Sequence, residues 1–328
     1  PQWYPISISG YHMREAGSNA IQELAFTFAN AIEYINTCIS RGLKVDEFAP
    51  RLSFFFCCTM DFFEEVAKFR AARRIYAKIM KERFDAKNEK STHLRFHVQT
   101  SGESLTAQQV DNNVVRVTLE ALSAVLGGCQ SLHTNSRDEA LALPTEESVK
   151  VALRTQQIIA NETGVTKTVD PLSGSHYLEY LTSKIEEGVE KYLKKIEKLG
   201  GSLAAIEKGY FQEEIRRNAY QLKKEIDYND RIIVGVNKFQ DQNDIEPQLN
   251  TIDPEIEIRQ VKKLIEFKNN RDQSKVNSEV SKLRKFAERE DVNLMPHIIS
   301  AVKGHVTLGE ISDVFVDIFG RYEPKFSF

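Results

Sequence analysis

Three histidines and two arginines in the first 135 residues have the chemistry to act on a ligand. His12 lies in Ser9-Gly10-Tyr11-His12-Met13-Arg14-Glu15, where the chain leaves a short β-rich run, and His97 and His133 lie within two later runs. Taken alone, His12 reads as a core histidine bonded to a carbonyl. Together the three imidazoles suggest a zinc site at strand ends, but no carboxylate completes a familiar ligand spacing, so no metal is expected. Arg51 and Arg95 carry a planar fork of donors suited to phosphate or carbonyl oxygens. Their ordinary alternative is an ion-paired structural role.

Positioning these groups falls to a run of β and α segments. From Pro5 to about Ala142, β-rich stretches near Pro5–Ser9, Arg51–Phe56, Leu94–Thr100 and Cys129–Asn135 alternate with helical patterns, the signature of βα units in a parallel sheet or barrel. Phe62, Val66, Phe69, Tyr76 and Met80 mark one apolar helix face, and Gly127-Gly128 ends the helix carrying Val114, Val117 and Ala121.

Strand side chains alternate between faces. In the third strand Leu94, Phe96 and Val98 oppose Arg95, His97 and Gln99. The first sets Ile6 and Ile8 against Ser7 and Ser9, the second Leu52 and Phe54 against Arg51 and Ser53, and the fourth Ser131, His133 and Asn135 against Leu132. With the apolar faces on the helices, the polar faces point to the interior of a closed barrel. An ordinary (β/α)₈ barrel fills that space with branched apolar side chains, whereas this pattern predicts a polar lumen able to admit an extended ligand. The alternative is a two-layer sheet with one solvated face, or a barrel core holding a few satisfied polar residues.

Beyond the fourth unit, the turn-rich Asp170-Pro171-Leu172-Ser173-Gly174-Ser175 leads into a mostly helical segment. A helix over Glu186–Leu199 stops at Gly200-Gly201, and later helices carry Val261-Leu264-Ile265 and Leu308-Ile311-Val314-Ile318. Ile232–Val236 reads as an isolated strand and Asp241–Pro254 as a surface connector. The expectation is an α/β chain: residues 1–145 the C-terminal half of a (β/α)₈ barrel, about four βα units, and 146–328 a helical extension. Four units cannot close an eight-stranded barrel, so a second chain or copy is expected to cover the open edge.

Composition narrows the function class. Lys and Arg total 44 against 47 Asp and Glu, a net charge of −3, which argues against a general electrostatic grip on nucleic acid or anionic lipid. No apolar run approaches membrane-spanning length, and the first residues do not resemble a signal peptide. Cys38, Cys57, Cys58 and Cys129 read as buried thiols of a reduced compartment, and the expected location is the cytoplasm.

Ile6-Ser7-Ile8-Ser9-Gly10-Tyr11-His12-Met13 with Glu15-Ala16-Gly17 is similar to a signature of the methylmalonyl-CoA mutase family. Further stretches resemble that family in order and spacing: Phe48-Ala49-Pro50-Arg51-Leu52-Ser53-Phe54-Phe55, Gln99-Thr100-Ser101-Gly102, Gln130-Ser131-Leu132-His133-Thr134-Asn135-Ser136 with Asp138-Glu139-Ala140, Val234-Gly235-Val236-Asn237-Lys238 and Phe319-Gly320-Arg321-Tyr322. The resemblance implies a barrel with coenzyme A threaded along its axis and adenosylcobalamin against its C-terminal face, for radical rearrangement of an acyl-CoA, foremost methylmalonyl-CoA and succinyl-CoA. It implies that His12 donates to the thioester carbonyl with Tyr11 beside it, and that Arg51, Ser53 and Arg95 meet coenzyme A. Glu15, Gln99, Asn135 and Glu139 would surround the adenosyl group and corrin amides, with Ala140 at a close backbone approach.

Glu103 stands where the family pattern has tryptophan, and Cys57-Cys58 where it has Trp-Gly. These departures point toward an isobutyryl-type or 2-hydroxyisobutyryl-type mutase. The resemblance implies that the groups recognising the substrate's carboxylate belong to the N-terminal half barrel, and that the histidine ligating cobalt belongs to a module whose motif does not surround His297 or His305. The expected partners are therefore a chain with the first half barrel and a small cobalamin-binding subunit. The competing class is a non-catalytic CoA-binding accessory subunit.

Overall fold

The structure, a computed structural model, describes residues 3–241 and 249–323. The chain forms two compact units, one within Pro1–Thr251 and one within Ile252–Pro324. In the first, four parallel strands, β1 (Ser7–Ser9), β2 (Ser53–Cys58), β3 (Phe96–Thr100) and β4 (Ser131–His133), lie side by side in chain order. Ser7 pairs with Ser53, Phe54 with Phe96 and Val98 with Leu132. Helices α1 (Tyr11–Glu15), α2 (Ala20–Ser40) and α3 (Val45–Phe48) separate β1 from β2; α4 (Phe62–Lys78) follows β2, α5 (Asn112–Leu126) follows β3, and α6 (Glu146–Glu162) follows β4. This is half of a (β/α)₈ barrel with a helical extension, as the alternation predicts.

Local sequence explains the elements. The Asn19 side chain accepts from the Gln22 amide and Gln22 returns the bond, closing a capping box at the start of α2. Asp61 caps α4 by accepting from Glu64 N–H. Ile8, Phe54, Phe56, Phe96 and Val98 are buried on the helix side of the sheet, where Phe69 stacks on Phe96 at 5.4 Å and Phe28 meets Phe54 edge-on at 6.0 Å. The close seat of α5 requires Gly127, because a Cβ there would come within 2.6 Å of the Phe69 ring.

The first unit continues past residue 145. Helix α7 (His176–Leu199) lays Leu178, Ile185 and Val189 on the layer formed by α2 and α4, and it is followed by α8 (Ser202–Glu207) and α9 (Tyr210–Asp227). Arg70 of α4 pairs with Asp170 at 3.2 Å and Glu179 at 2.7 Å, holding the turn that opens α7. As predicted, α7 ends at Gly200, whose φ of 105° is left-handed. Ile232–Val236 does not form a strand: it is a turn around Gly235, with an isolated bridge between Val234 and Lys238, and no strand among the described residues pairs with it. Of the predicted connector, residues 242–248 lie outside the described residues.

The second unit packs α11 (Gln273–Ala287), α12 (Met295–Lys303) and α13 (Leu308–Phe319), preceded by α10 (Glu255–Asn270), around Val276, Leu283, Ala301, Ile311 and Val314. Val261, Leu264 and Ile265 of α10 are exposed. Arg271, only 4% exposed, ties to Glu310 of α13. Cys57 and Cys58 are buried, Cys38 and Cys129 half-buried, and all four are free. No helix among the described residues is long and apolar enough to cross a membrane.

Candidate active site

The lumen face of the sheet carries Ser53, Phe55 and Cys57 from β2, His97 and Gln99 from β3, and Ser131 and His133 from β4. This follows from the alternation that buries Phe54, Phe56, Phe96 and Val98 opposite. Phe54 pairs with Phe96 and Cys57 with Gln99, so from Ser53 to Cys57 the lumen face advances about 13 Å at 3.3 Å per residue, and the candidate residues divide between the two ends of that span.

At the N-terminal end, Ser53 Oγ donates to the Ile6 carbonyl at 2.7 Å, linking β1 to β2. Arg51 was expected within a strand but lies in a short 3₁₀ turn, Ala49–Arg51, because Pro50 supplies no amide to a ladder. Arg95 directly precedes β3 and donates to the Pro50 carbonyl, so part of its fork is committed to structure.

At the C-terminal end the chain turns from β1 straight into α1. Tyr11 stacks on Phe55 with centroids 4.6 Å apart and planes at 5°; Phe55 in turn meets His97 at 5.2 Å. His12 Nδ1 lies 3.3 Å from Ser9 Oγ, and partial enclosure of the ring lowers its pKa below the ordinary imidazole value. His97 Nδ1 lies 2.7 Å from Ser131 Oγ; burial and then the His133 ring lower its pKa too. Among the described residues no group of three or more His, Cys, Asp or Glu is placed to hold an ion.

Four of the remaining candidates converge beside Tyr11. Gln99 Nε2 donates to Asn135 Oδ1 at 2.9 Å, while Asn135 Nδ2 donates to the Thr100 carbonyl at 2.9 Å. Glu15 accepts from Ser101 Oγ at 2.6 Å, Glu103 N–H at 3.1 Å and Cys57 Sγ at 3.2 Å. Gly102 sits at their junction: a Cβ there would lie 3.2 Å from Glu15 Oε2, 3.4 Å from Asn135 Nδ2 and 3.7 Å from Glu139 Cγ. Burial, followed by the nearby Glu15, raises the Tyr11 pKa, with a hydrogen bond to Asn135 opposing it. Burial likewise raises that of Glu139, against the pull of His133. Glu139 and Ala140 are exposed at the rim. The sequence reading named Cys57 only as a departure from the family pattern and Phe55, Ser101 and Gly102 only within motifs, with no site role, although the rule that barrel sites gather at the C-terminal strand ends points to them.

A cavity of about 740 Å³ lies behind α1, lined by Arg14, Thr59, Glu64, Asn218 and Val234 among others, whereas four strands leave the lumen open along one side.

The sequence that builds this sheet and turn matches the methylmalonyl-CoA mutase family model over residues 1–321. The chain belongs to the methylmalonyl-CoA mutase family. Over 322 residues it is 49% identical to the 2-hydroxyisobutanoyl-CoA mutase large subunit of Aquincola tertiaricarbonis, covering 98% of this chain and 57% of that protein. It is 45% identical to the methylmalonyl-CoA mutase of Rhizobium meliloti (98% of this chain, 45% of the relative) and 43% identical to the human mitochondrial enzyme (99% and 44%). The chain thus spans about half the length of the curated relatives it matches.

Proposed function

We propose that this chain is the C-terminal part of the catalytic component of an adenosylcobalamin-dependent acyl-CoA mutase, an isomerase acting together with the first half of the barrel and a small cobalamin-binding subunit. The observation that carries the reading is the division of the lumen face: Arg51, Ser53 and Arg95 at one end, and Tyr11, His12 and the Glu15–Gln99–Asn135–Glu139 cluster at the other, with about 13 Å of strand between Ser53 and the level of Gln99. An extended acyl-CoA would lie along it, with arginine donors meeting coenzyme A oxygens and the thioester near His12.

The cluster around Gly102 fits the adenosyl group and corrin amides. It offers carboxylate and amide partners, and its centre is a position where a side chain would crowd them. Glu15, Gln99, Asn135 and Glu139 would hold that group, with Ala140 at a close backbone approach. When bound, adenosylcobalamin supplies the radical chemistry through homolysis of its Co–C bond. Protein groups do the rest. The His12 imidazole, whose lowered pKa keeps it neutral near pH 7, donates a hydrogen bond to the thioester oxygen as the group migrates. Tyr11, fixed by its stack on Phe55, walls the reacting carbons from water.

The first substrate reading is the methylmalonyl-CoA and succinyl-CoA pair. A 2-hydroxyisobutyryl-type substrate is the second, favoured by the 49% identity to the 2-hydroxyisobutanoyl-CoA mutase large subunit and by Glu103 and the lumen-facing Cys57 at positions that depart from the methylmalonyl-type pattern. The test is His12→Ala in the assembled enzyme. Turnover is expected to fall about 10²–10³-fold with acyl-CoA affinity within about threefold. Unchanged turnover would remove His12 from its role. An assembly that binds acyl-CoA and isomerises none of these substrates would make the chain an accessory subunit.

A further inference from the structure

We propose that Arg14, Glu23, Glu65 and Lys68 are positioning residues, a buried quartet of charges that fixes the turn carrying Tyr11 and His12 against the end of β2. The inference rests on the proposed role of that turn at the acyl-CoA thioester. The quartet has two cations and two anions from three helices. Glu23, Glu65 and Lys68 have no exposed side-chain surface, and the Arg14 side chain is 12% exposed.

Each bond reaches a different element. Lys68 Nζ of α4 donates to Glu23 Oε2 of α2 at 2.7 Å, to the Cys57 carbonyl of β2 at 2.8 Å, and to Glu65. Glu23 Oε1 accepts from Cys57 N–H at 2.8 Å, so one ion pair grips both backbone groups of the lumen residue Cys57. Arg14 of α1 donates to Glu65 Oε1 at 3.2 Å, to Thr59 Oγ1 just past β2 at 3.0 Å, and to the Ser18 carbonyl at 2.6 Å. Thr59 also donates to Glu65 at 2.9 Å. The turn rests directly on this group, since a Cβ on Gly10 would lie 2.8 Å from Glu23 Cγ.

Stability alone does not account for such a group. Apolar side chains of similar volume hold buried sites as well as an ion pair does, but they do not dictate direction. Here the bonds fix α1 in rotation and depth relative to β2, and β2 carries Phe55 under Tyr11. Burial by itself would lower the Lys68 pKa; Glu23 and Glu65 outweigh it and raise it, so Lys68 stays charged. None of the four reaches the lumen, so they act through Tyr11 and His12.

The experiment is Arg14→Met in the assembled enzyme, with Arg14→Lys as the conservative variant, read by steady-state kinetics and by amide exchange over residues 10–18. Expected are a fall in kcat of about 10–100-fold, the order that a misplacement of about 1 Å produces, and KM within about threefold. Exchange should speed up in residues 10–18 but not in α4, with partial recovery of both in Arg14→Lys. Parent-like exchange over residues 10–18 overturns the inference, as does faster exchange spread evenly through the unit. Should Arg14→Met not fold, Thr59→Val weakens the same tie at one hydroxyl, with the same readouts and a smaller change. If the parent assembly isomerises no acyl-CoA, the proposed function fails while exchange still decides whether the quartet fixes the turn.

Discussion

The two faces of the four-stranded sheet are built on different principles. On the helix side, Phe54, Phe56, Phe96 and Val98 are at most 2% exposed and interlock with Phe28, Phe69 and Tyr76. That face is a packed core in which volume decides. On the lumen side, Ser53, His97, Gln99 and Ser131 are joined by single hydrogen bonds to one neighbour each, and position decides. A barrel core needs apolar side chains on both faces. The sheet here gives up that burial on one side, and the buried charges behind α1 and the stack of Tyr11 on Phe55 hold the geometry that burial would otherwise hold.

Adjacent residues of β2 offer the sharpest way to break the comparison. Phe54→Ala removes a ring at 1% exposure with three aromatic neighbours among Phe28, Phe56 and Tyr76, and is expected to cost about 3–5 kcal/mol of unfolding free energy. Phe55→Ala, one residue on and facing the other way, removes the stacking partner of Tyr11 and is expected to cost about 1 kcal/mol. Denaturant unfolding of the two variants measures both. Equal losses would mean that the lumen face is also core and that the division between the faces is wrong.

The sheet was legible in the sequence because each strand alternates cleanly, and alternation needs no tertiary information. Leu94–Thr100 is the plainest case: its apolar residues are buried and Arg95, His97 and Gln99 face the lumen. The helix ends at Gly127 and Gly200 were legible for the same local reason. Strand limits were not, since Pro50 and the turn around it remove Arg51 from β2 and hydrophobicity does not mark that. The reach of the first unit past residue 145 was also hidden, because α7 is amphipathic on its own and its seat on α2 and α4 is a long-range choice. At the candidate site, strand-end residues were named from alternation and from the family resemblance, and the structure brings Glu15, Gln99 and Asn135 together beside Tyr11. The quartet of Arg14, Glu23, Glu65 and Lys68 was not legible, since charges at helical spacing look like a solvated face until the fold buries them.

The smallest expected effect sharpens the comparison through pH. Burial lowers the pKa values of His12 and His97 below the ordinary 6.5. Above 6.5 both rings are neutral in the folded and unfolded chains and contribute nothing to the pH slope. As pH falls below 6.5, the unfolded chain takes up protons first, so folded stability declines until the folded pKa values are passed. Glu120 and Glu139, whose pKa values burial raises, act with the opposite sign, so the signal is the difference between parent and variant. In the double variant His12→Gln, His97→Gln, the loss of urea midpoint between pH about 7.5 and about 5.5 should be smaller than in the parent. The amide keeps a partner for Ser9 and Ser131 without titrating. The helix-side substitution Phe54→Ala should lower the midpoint at both pH values and leave the difference between them as it is in the parent. Identical pH dependence in parent and double variant would show that the lumen imidazoles titrate as freely folded as unfolded, and that the partial enclosure of the two rings does not set their protonation.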